Sequence, residues 1–203
     1  MQSVKRIGIM GGTFDPIHIG HLVTAEEART QFELDEVIFV PSGIPPHKKY
    51  PVTSGEHRYL MTSMAVMSNP KFSMSPVEID RLGNSYTIDT VKYFRKIYGS
   101  QVELYFITGA DAIFEILTWK NVESLMEQCY FIAATRPGFN LQEIDNKLNF
   151  LPLNLKERVF NMEIPALAIS STDIRKRIAL GKTIKYLVPE EIENYLYENR
   201  LYI

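Results

Sequence analysis

The sequence is poor in the features that would commit it to an extreme class. Its 203 residues hold one cysteine, Cys129, so an internal disulfide and a cysteine-based zinc site are both excluded. A reducing, cytoplasmic setting is expected, with that thiol acting as a small buried hydrophobe. No apolar run reaches the roughly 18 residues of a membrane span, and Met1 to Arg6 leads into a strand pattern rather than a secretory leader. No membrane partner is expected. An excess of one charge is also lacking: 22 Lys+Arg against 24 Asp+Glu leave a net charge of -2. Without a global positive field, nucleic acid is not an expected partner, and any anion site must be local. Hydrophobic residues at 45% and charged residues at 23% mark a globular chain rather than a disordered or fibrous one. Repeats, low-complexity tracts and composition breaks are missing, so residues 1–203 are read as a single domain. Two phosphate fingerprints are missing too. Gly8, Gly11 and Gly12 do not space as G-x-G-x-x-G, and no G-x-x-x-x-G-K-[ST] occurs. Hydride transfer and ordinary P-loop chemistry lose support.

What is present alternates. Ile7 to Met10, Val37 to Val40, Leu104 to Thr108 and Tyr130 to Ala134 are short runs apolar on both faces, as buried parallel strands are. Phe72 to Ile79 reads as a further strand and Met162 to Ile169 as the last. Between them, Leu22, Ala25, Ala28 and Phe32 recur at helical spacing, as do Leu60, Met64 and Met67, and Val91, Phe94 and Tyr98. The order predicts an α/β fold: a Rossmann-like, doubly wound, mainly parallel sheet with helices on both faces and a helical C-terminal end. At that end Ser170 to Asp173 reads as an N-cap region, Gly181 as a stop, and Pro189 as position N1 of a last helix. Ligands of such sheets bind beyond the carboxyl ends of the strands, where strand order reverses.

The densest chemistry follows the first predicted strand: Gly11-Gly12-Thr13-Phe14-Asp15-Pro16-Ile17-His18-Ile19-Gly20-His21. Paired glycines let backbone amides approach an anion, and a following helix N-terminus adds N–H groups and the positive end of a dipole. His18 and His21, three apart, fall on one face of the first helical turn, as suits a phosphate. The bland alternative is a tight turn with histidines capping a helix. A metal reading of H-x-x-H lacks a clear third ligand.

These residues resemble the signature of nucleotidyltransferases with a T/H-x-G-H motif. Their second element, I-S-S-T-x-I-R, is matched by Ile169-Ser170-Ser171-Thr172-Asp173-Ile174-Arg175. Within that superfamily the chain is most similar to the bacterial nicotinate mononucleotide adenylyltransferases. Pro45-Pro46-His47-Lys48, Ser85 to Thr90, Gly109 to Ala112 and Thr118-Trp119 carry that likeness over most of the chain. The resemblance implies transfer of the adenylyl group of ATP to nicotinate mononucleotide, giving deamido-NAD and pyrophosphate in NAD biosynthesis.

It also implies roles. His18 and His21 would lie around the ATP phosphates, with His21 against the α-phosphate, and Gly11, Gly12, Thr13 and Phe14 would form the cradle. Lys48 is a point charge suited to β- and γ-phosphates, or a solvated surface lysine. Ser170, Ser171, Thr172 and Arg175 would grip triphosphate from a helix start, or merely cap it. Gly109 and Asp111 follow a strand; the carboxylate would accept bonds from ribose hydroxyls, or cap a helix. Trp119 would stack on the pyridine ring, core packing being the ordinary alternative. Thr87 would add polar contacts near the nicotinate, and Arg136 would meet the mononucleotide phosphate. Magnesium is expected as a cofactor held mainly by substrate phosphates and water, with no metal ligands of the protein's own.

Three alternatives remain open to the sequence. One is an adenylyltransferase acting on nicotinamide mononucleotide or another phosphomonoester. A second is a non-catalytic nucleotide-sensing module, against which His18, His21, Lys48 and Arg175 weigh. A third is an assembly protein using a Met61, Met64 and Met67 stripe. Oligomeric state, a homo-oligomer included, is not legible.

Overall fold

In a computed structural model, residues 4–45, 52–135, 146, 148–149 and 152–203 are described. Among the described residues, six strands form one all-parallel sheet: β1 (Arg6–Gly12), β2 (Glu36–Pro41), β3 (Phe72–Met74), β4 (Glu103–Gly109), β5 (Tyr130–Thr135) and β6 (Val159–Glu163). Their order is β3-β2-β1-β4-β5-β6, so the order reverses between β1 and β4. That is where a doubly wound sheet opens its ligand crevice.

Strand residues alternate strictly between two cores, which explains why the sequence shows no polar face. Val37, Phe39, Ile107 and Ile132 point to one side, packed with Ala25 and Ala28 of α1 (Ile19–Gln31), Met61 and Ala65 of α2 (Gly55–Val66), and the two C-terminal helices. Ile7, Ile9, Leu104 and Phe131 point to the other. There they meet Val91 and Phe94 of α3 (Thr87–Tyr98), Ile113 of α4 (Ala110–Phe114), Leu125 of α5 (Val122–Gln128) and Leu155 of α6 (Leu153–Lys156). The C-terminal helices are α7 (Ser171–Ala179) and α8 (Glu190–Glu198). Cys129 is buried, and burial pushes its thiol pKa up, away from reactivity.

Four expectations need correction. The strand read over Phe72 to Ile79 ends at Met74, and the one read over Met162 to Ile169 starts earlier and ends at Glu163. Each ladder closes with one further bond, Ser75 N–H to Phe39 O at 3.0 Å and Ile164 N–H to Thr135 O at 2.9 Å. Pro76 and Pro165 come next, and their rings hold φ at about −65°, outside the extended range of a parallel ladder. In α2 the apolar stripe was read as Leu60, Met64 and Met67, yet Leu60 and Met67 are exposed. The buried stripe is Arg58, Met61, Thr62 and Ala65, and an arginine on the inner face disguised its phase. Pro189 is the N-cap of α8 rather than its first helical residue.

Candidate active site

The β1–α1 loop and the start of α7 meet over the reversal point and enclose a cleft of about 520 Å³. Its floor is the glycine pair. A Cβ on Gly12 would stand 2.7 Å from the Phe14 ring, and one on Gly11 2.9 Å from Phe106, so glycine is demanded here by the rings beneath the backbone. Phe14 itself takes a left-handed backbone, φ 50°, with its side chain buried.

His18 is the N-cap of α1 rather than part of its first turn. Its ring nevertheless stacks on that of His21, with centroids 3.6 Å apart and planes 21° apart, and Phe14 meets His21 edge-on at 5.0 Å. The His18 backbone N–H donates to His21 Nδ1 at 3.2 Å. That bond puts the proton of neutral His21 on Nε2. Burial, and secondarily the neighbouring His18, hold the His21 pKa well below its ordinary value. His21 is therefore a neutral donor with a fixed tautomer, not a second positive charge. The expected helix N-terminal contribution is narrower than the motif implies: Ile19 N–H donates to Leu187 O at 3.0 Å and His21 N–H to His18 O at 2.9 Å.

The second motif is stapled to the first. Ser170 caps α7, accepting from Asp173 N–H at 3.1 Å. Ser171 Oγ donates to Pro16 O at 2.8 Å, and Arg175 Nη1 donates to Asp15 O at 2.6 Å while its Nη2 lies 3.3 Å from Thr172 Oγ. Ser170 alone is the cap, and all four residues line the cleft. Gly109 and Asp111 line it from the end of β4. Gly109 is the N-cap of α4, so the exposed Asp111 carboxylate is not spent on capping. Beyond β6, Ile164, Leu167 and Ile169 add an apolar wall that strand periodicity could not reveal.

A second pocket, of about 560 Å³, opens on the other side of α4's first turn: Asp111 lines the first, Ala112 the second. Thr87 and Trp119 both face it, as does Lys120. Trp119 is half-buried and packs edge-on against Phe106 at 6.0 Å and Phe131 at 6.2 Å, so it is both core residue and wall. Lys120 stands 4.4 Å over the Tyr86 ring and 3.5 Å from the Asp89 carboxylate. Tyr86 caps α3 without a side-chain bond; Asp89 N–H is taken by Tyr86 O at 3.0 Å, and Thr87 and Ile88, which open the first turn, line this pocket. Lys48 and Arg136 lie outside the described residues.

Sequence reasoning missed three polar side chains behind the cleft: the buried Arg58 and Glu78 and the half-buried Tyr202. Tyr202 OH donates to Asp15 Oδ1 at 2.5 Å, and Glu78 accepts from Thr90 Oγ at 2.5 Å. Burial raises the pKa of Glu78. No periodicity marks such residues; Arg58 alone left a trace, in the misread phase of α2.

Against known proteins, residues 9–177 match a family model described as cytidylyltransferase-like. A relative from Moorella thermoacetica named "probable nicotinate-nucleotide adenylyltransferase" is 62% identical over 97% of this chain and 91% of its own length. One from a Thermoanaerobacter species with the same name is 57% identical over 100% and 96%. This chain belongs to the nicotinate-nucleotide adenylyltransferase family. The fold of this family member is also that of the Plasmodium falciparum nicotinic acid mononucleotide adenylyltransferase solved with NaAD. That structure is 23% identical, has a TM-score of 0.76, and is matched over 98% of this chain and 97% of that one. Among the described residues, no helix of this adenylyltransferase-family chain is long and apolar enough to cross a membrane.

Proposed function

We propose that this protein transfers the adenylyl group of ATP to nicotinate mononucleotide, releasing nicotinate adenine dinucleotide and pyrophosphate. The observation that carries this reading is the pair of pockets flanking the first turn of α4, one furnished for phosphates and one for an aromatic ring. The Plasmodium falciparum neighbour solved with the dinucleotide product and the names of the close relatives support it.

The chemistry asks little of the protein. The phosphate monoester of the mononucleotide is already an anionic nucleophile, and its oxygen attacks the α-phosphorus of ATP. A new P–O bond forms while the bond from the α-phosphorus to the bridging oxygen breaks, and pyrophosphate leaves with that electron pair. No general base is needed; alignment and charge stabilisation are. His21 Nε2–H is oriented by the His18 amide and donates to the charge that develops on the α-phosphoryl oxygens. The glycine amides, His18 and Arg175 surround the same phosphates, and Lys48 contributes a further cation to the β- and γ-phosphates. Asp111, uncommitted to capping, suits ribose hydroxyls. ATP enters as its magnesium complex, the ion held mainly by substrate phosphates and water, because the leaving pyrophosphate carries charge that the protein's cations alone cover incompletely. Excess chelator should therefore stop turnover.

In the second pocket, Trp119 offers its surface to the pyridine ring. Lys120 and the α3 amides favour a ring carboxylate over a carboxamide, whose NH₂ would face donors. Glu115 lines the same pocket and opposes this in part. Arg136 is assigned to the mononucleotide phosphate as a planar cation suited to it. The test is kcat/KM for the acid and amide mononucleotides with MgATP: preference for the acid is expected, and equal values or preference for the amide would reject the substrate assignment.

A further inference from the structure

Arg58 is 1% exposed, in a protein whose other interior positions are overwhelmingly apolar. A buried guanidinium is costly unless its donors are satisfied. Here each of its three nitrogens donates to a backbone carbonyl, and the carbonyls come from three separate segments. Nη1 donates to Thr13 O at 2.8 Å, Nη2 to Gly43 O at 3.0 Å and Nε to Thr53 O at 2.8 Å. Burial lowers its pKa, while Asp15, Tyr202 and Glu78 favour its charged form.

The three carbonyls are not equivalent in position. Thr13 follows the glycine pair and lines the nucleotide cleft. Gly43 lies in the loop after β2, and its N–H donates to Ser85 Oγ at 2.9 Å; Ser85 N–H in turn donates to Ile44 O at 3.0 Å. Ser85 lines the second pocket, immediately before Tyr86 and Thr87. The contact is also sterically exacting: a Cβ on Gly43 would stand 2.1 Å from Glu78 O. A continuous set of bonds thus runs from Thr13, through Arg58 and Gly43, to Ser85, joining the floor of one pocket to the rim of the other.

We propose that Arg58 is a positioning residue that fixes the two substrate pockets relative to each other. This rests on the reaction assigned above, in which a phosphate oxygen in one pocket must attack phosphorus in the other. Each substrate is bound by groups on its own side of the clasp, so separate binding does not need Arg58. In-line attack does, and a displacement of about 1 Å costs on the order of 100-fold in rate. A lysine cannot replace it, because one ammonium cannot span three carbonyls that a planar fork reaches together.

The test compares wild type, Arg58→Lys and Arg58→Gln. Single-turnover rates are measured with both substrates saturating. Dissociation constants are measured for nicotinate mononucleotide alone and for a non-hydrolysable ATP analogue alone, with far-UV circular dichroism to confirm folding. Both variants should lose about 30-fold or more in rate while each dissociation constant changes less than about threefold. Losses in binding that match the loss in rate, or rescue by lysine, would overturn the proposal in favour of a merely structural arginine. Should the Arg58 variants fail to fold, Ser85→Ala cuts the far end of the clasp. It should give the same rate-against-binding split on a smaller scale, and an unchanged rate with it would overturn the proposal equally. Wild type run alongside separates the two hypotheses: no dinucleotide from wild type rejects the assigned reaction, whereas a normal rate from Arg58→Gln rejects the clasp alone.

Discussion

The two pockets are built by opposite strategies. Much of the nucleotide cleft comes from one contiguous segment, Gly11 to His21, whose backbone makes the floor and whose two histidines are stacked above it. The second pocket is assembled from two segments well separated along the chain, Ser85 to Ile88 and Ala112 to Leu125. The nucleotide cleft must stabilise charge on phosphates common to many reactions, for which backbone amides held by a rigid turn suffice. The second must tell one ring substituent from another, which requires side chains that vary. Damage to the first should therefore appear in turnover, and damage to the second in affinity and selectivity.

His21→Ala should give the largest effect. His21 is neutral and held in one tautomer, so its donor is preorganised for charge that grows only in the transition state. We expect kcat to fall by about 100-fold or more with the ATP dissociation constant nearly unchanged. Near-normal turnover would reduce His21 to a residue of the turn.

Trp119→Ala comes next and should act on the other variable. Removing a stacking surface weakens a bound ring by roughly 10- to 100-fold, and here it also uncovers Phe106 and Phe131. Both mononucleotides should weaken alike, leaving their kcat/KM ratio intact, because a platform reads the ring and not its substituent. A changed ratio would mean that Trp119 selects as well as stacks. Lys120→Gln should do the reverse at smaller scale. Its ammonium is half-exposed and shared with Asp89, so screening limits its worth. The ratio should fall about two- to fivefold towards the amide, read from the same kinetics.

How much of this was legible follows from the same contrast. A contiguous motif declares itself in one dimension, and Gly11 to His21 and Ile169 to Arg175 stood out in the sequence for that reason. Strand and helix order were legible because alternation between two cores leaves every strand apolar on both faces. The ends of β3 and β6 were misread, although Pro76 and Pro165 marked them, because apolar spacing ran on past the last ladder bond. Tyr202 and Glu78 carried no signal and Arg58 only an ambiguous one, since nothing in a sequence shows that a polar residue is turned inward until its partners, 187 residues away for Tyr202 and Asp15, are brought beside it. The phase of α2 was lost for the same reason.

The smallest effect sharpens what kind of group the nucleotide cleft offers. His21 has a folded pKa below its unfolded one, so below about pH 6.5 the unfolded chain binds the extra proton and the folded chain resists it. This contribution to stability is whole above that pH and is lost as pH falls through it towards the folded value. Three features resist the proton: burial, the stacked His18 ring, and the His18 N–H that already occupies Nδ1, the only nitrogen left to protonate. Glu78 works in the opposite sense, because its raised pKa favours the folded state as pH drops. The raw pH dependence of wild type therefore mixes the two, and the difference from His21→Gln isolates the histidine. Melting temperatures at pH 7.5 and 5.5 should fall further in wild type than in His21→Gln, with Glu78 common to both. Equal falls would mean that His21 charges freely in the folded protein, and its role in transfer would have to be rewritten as that of a cation.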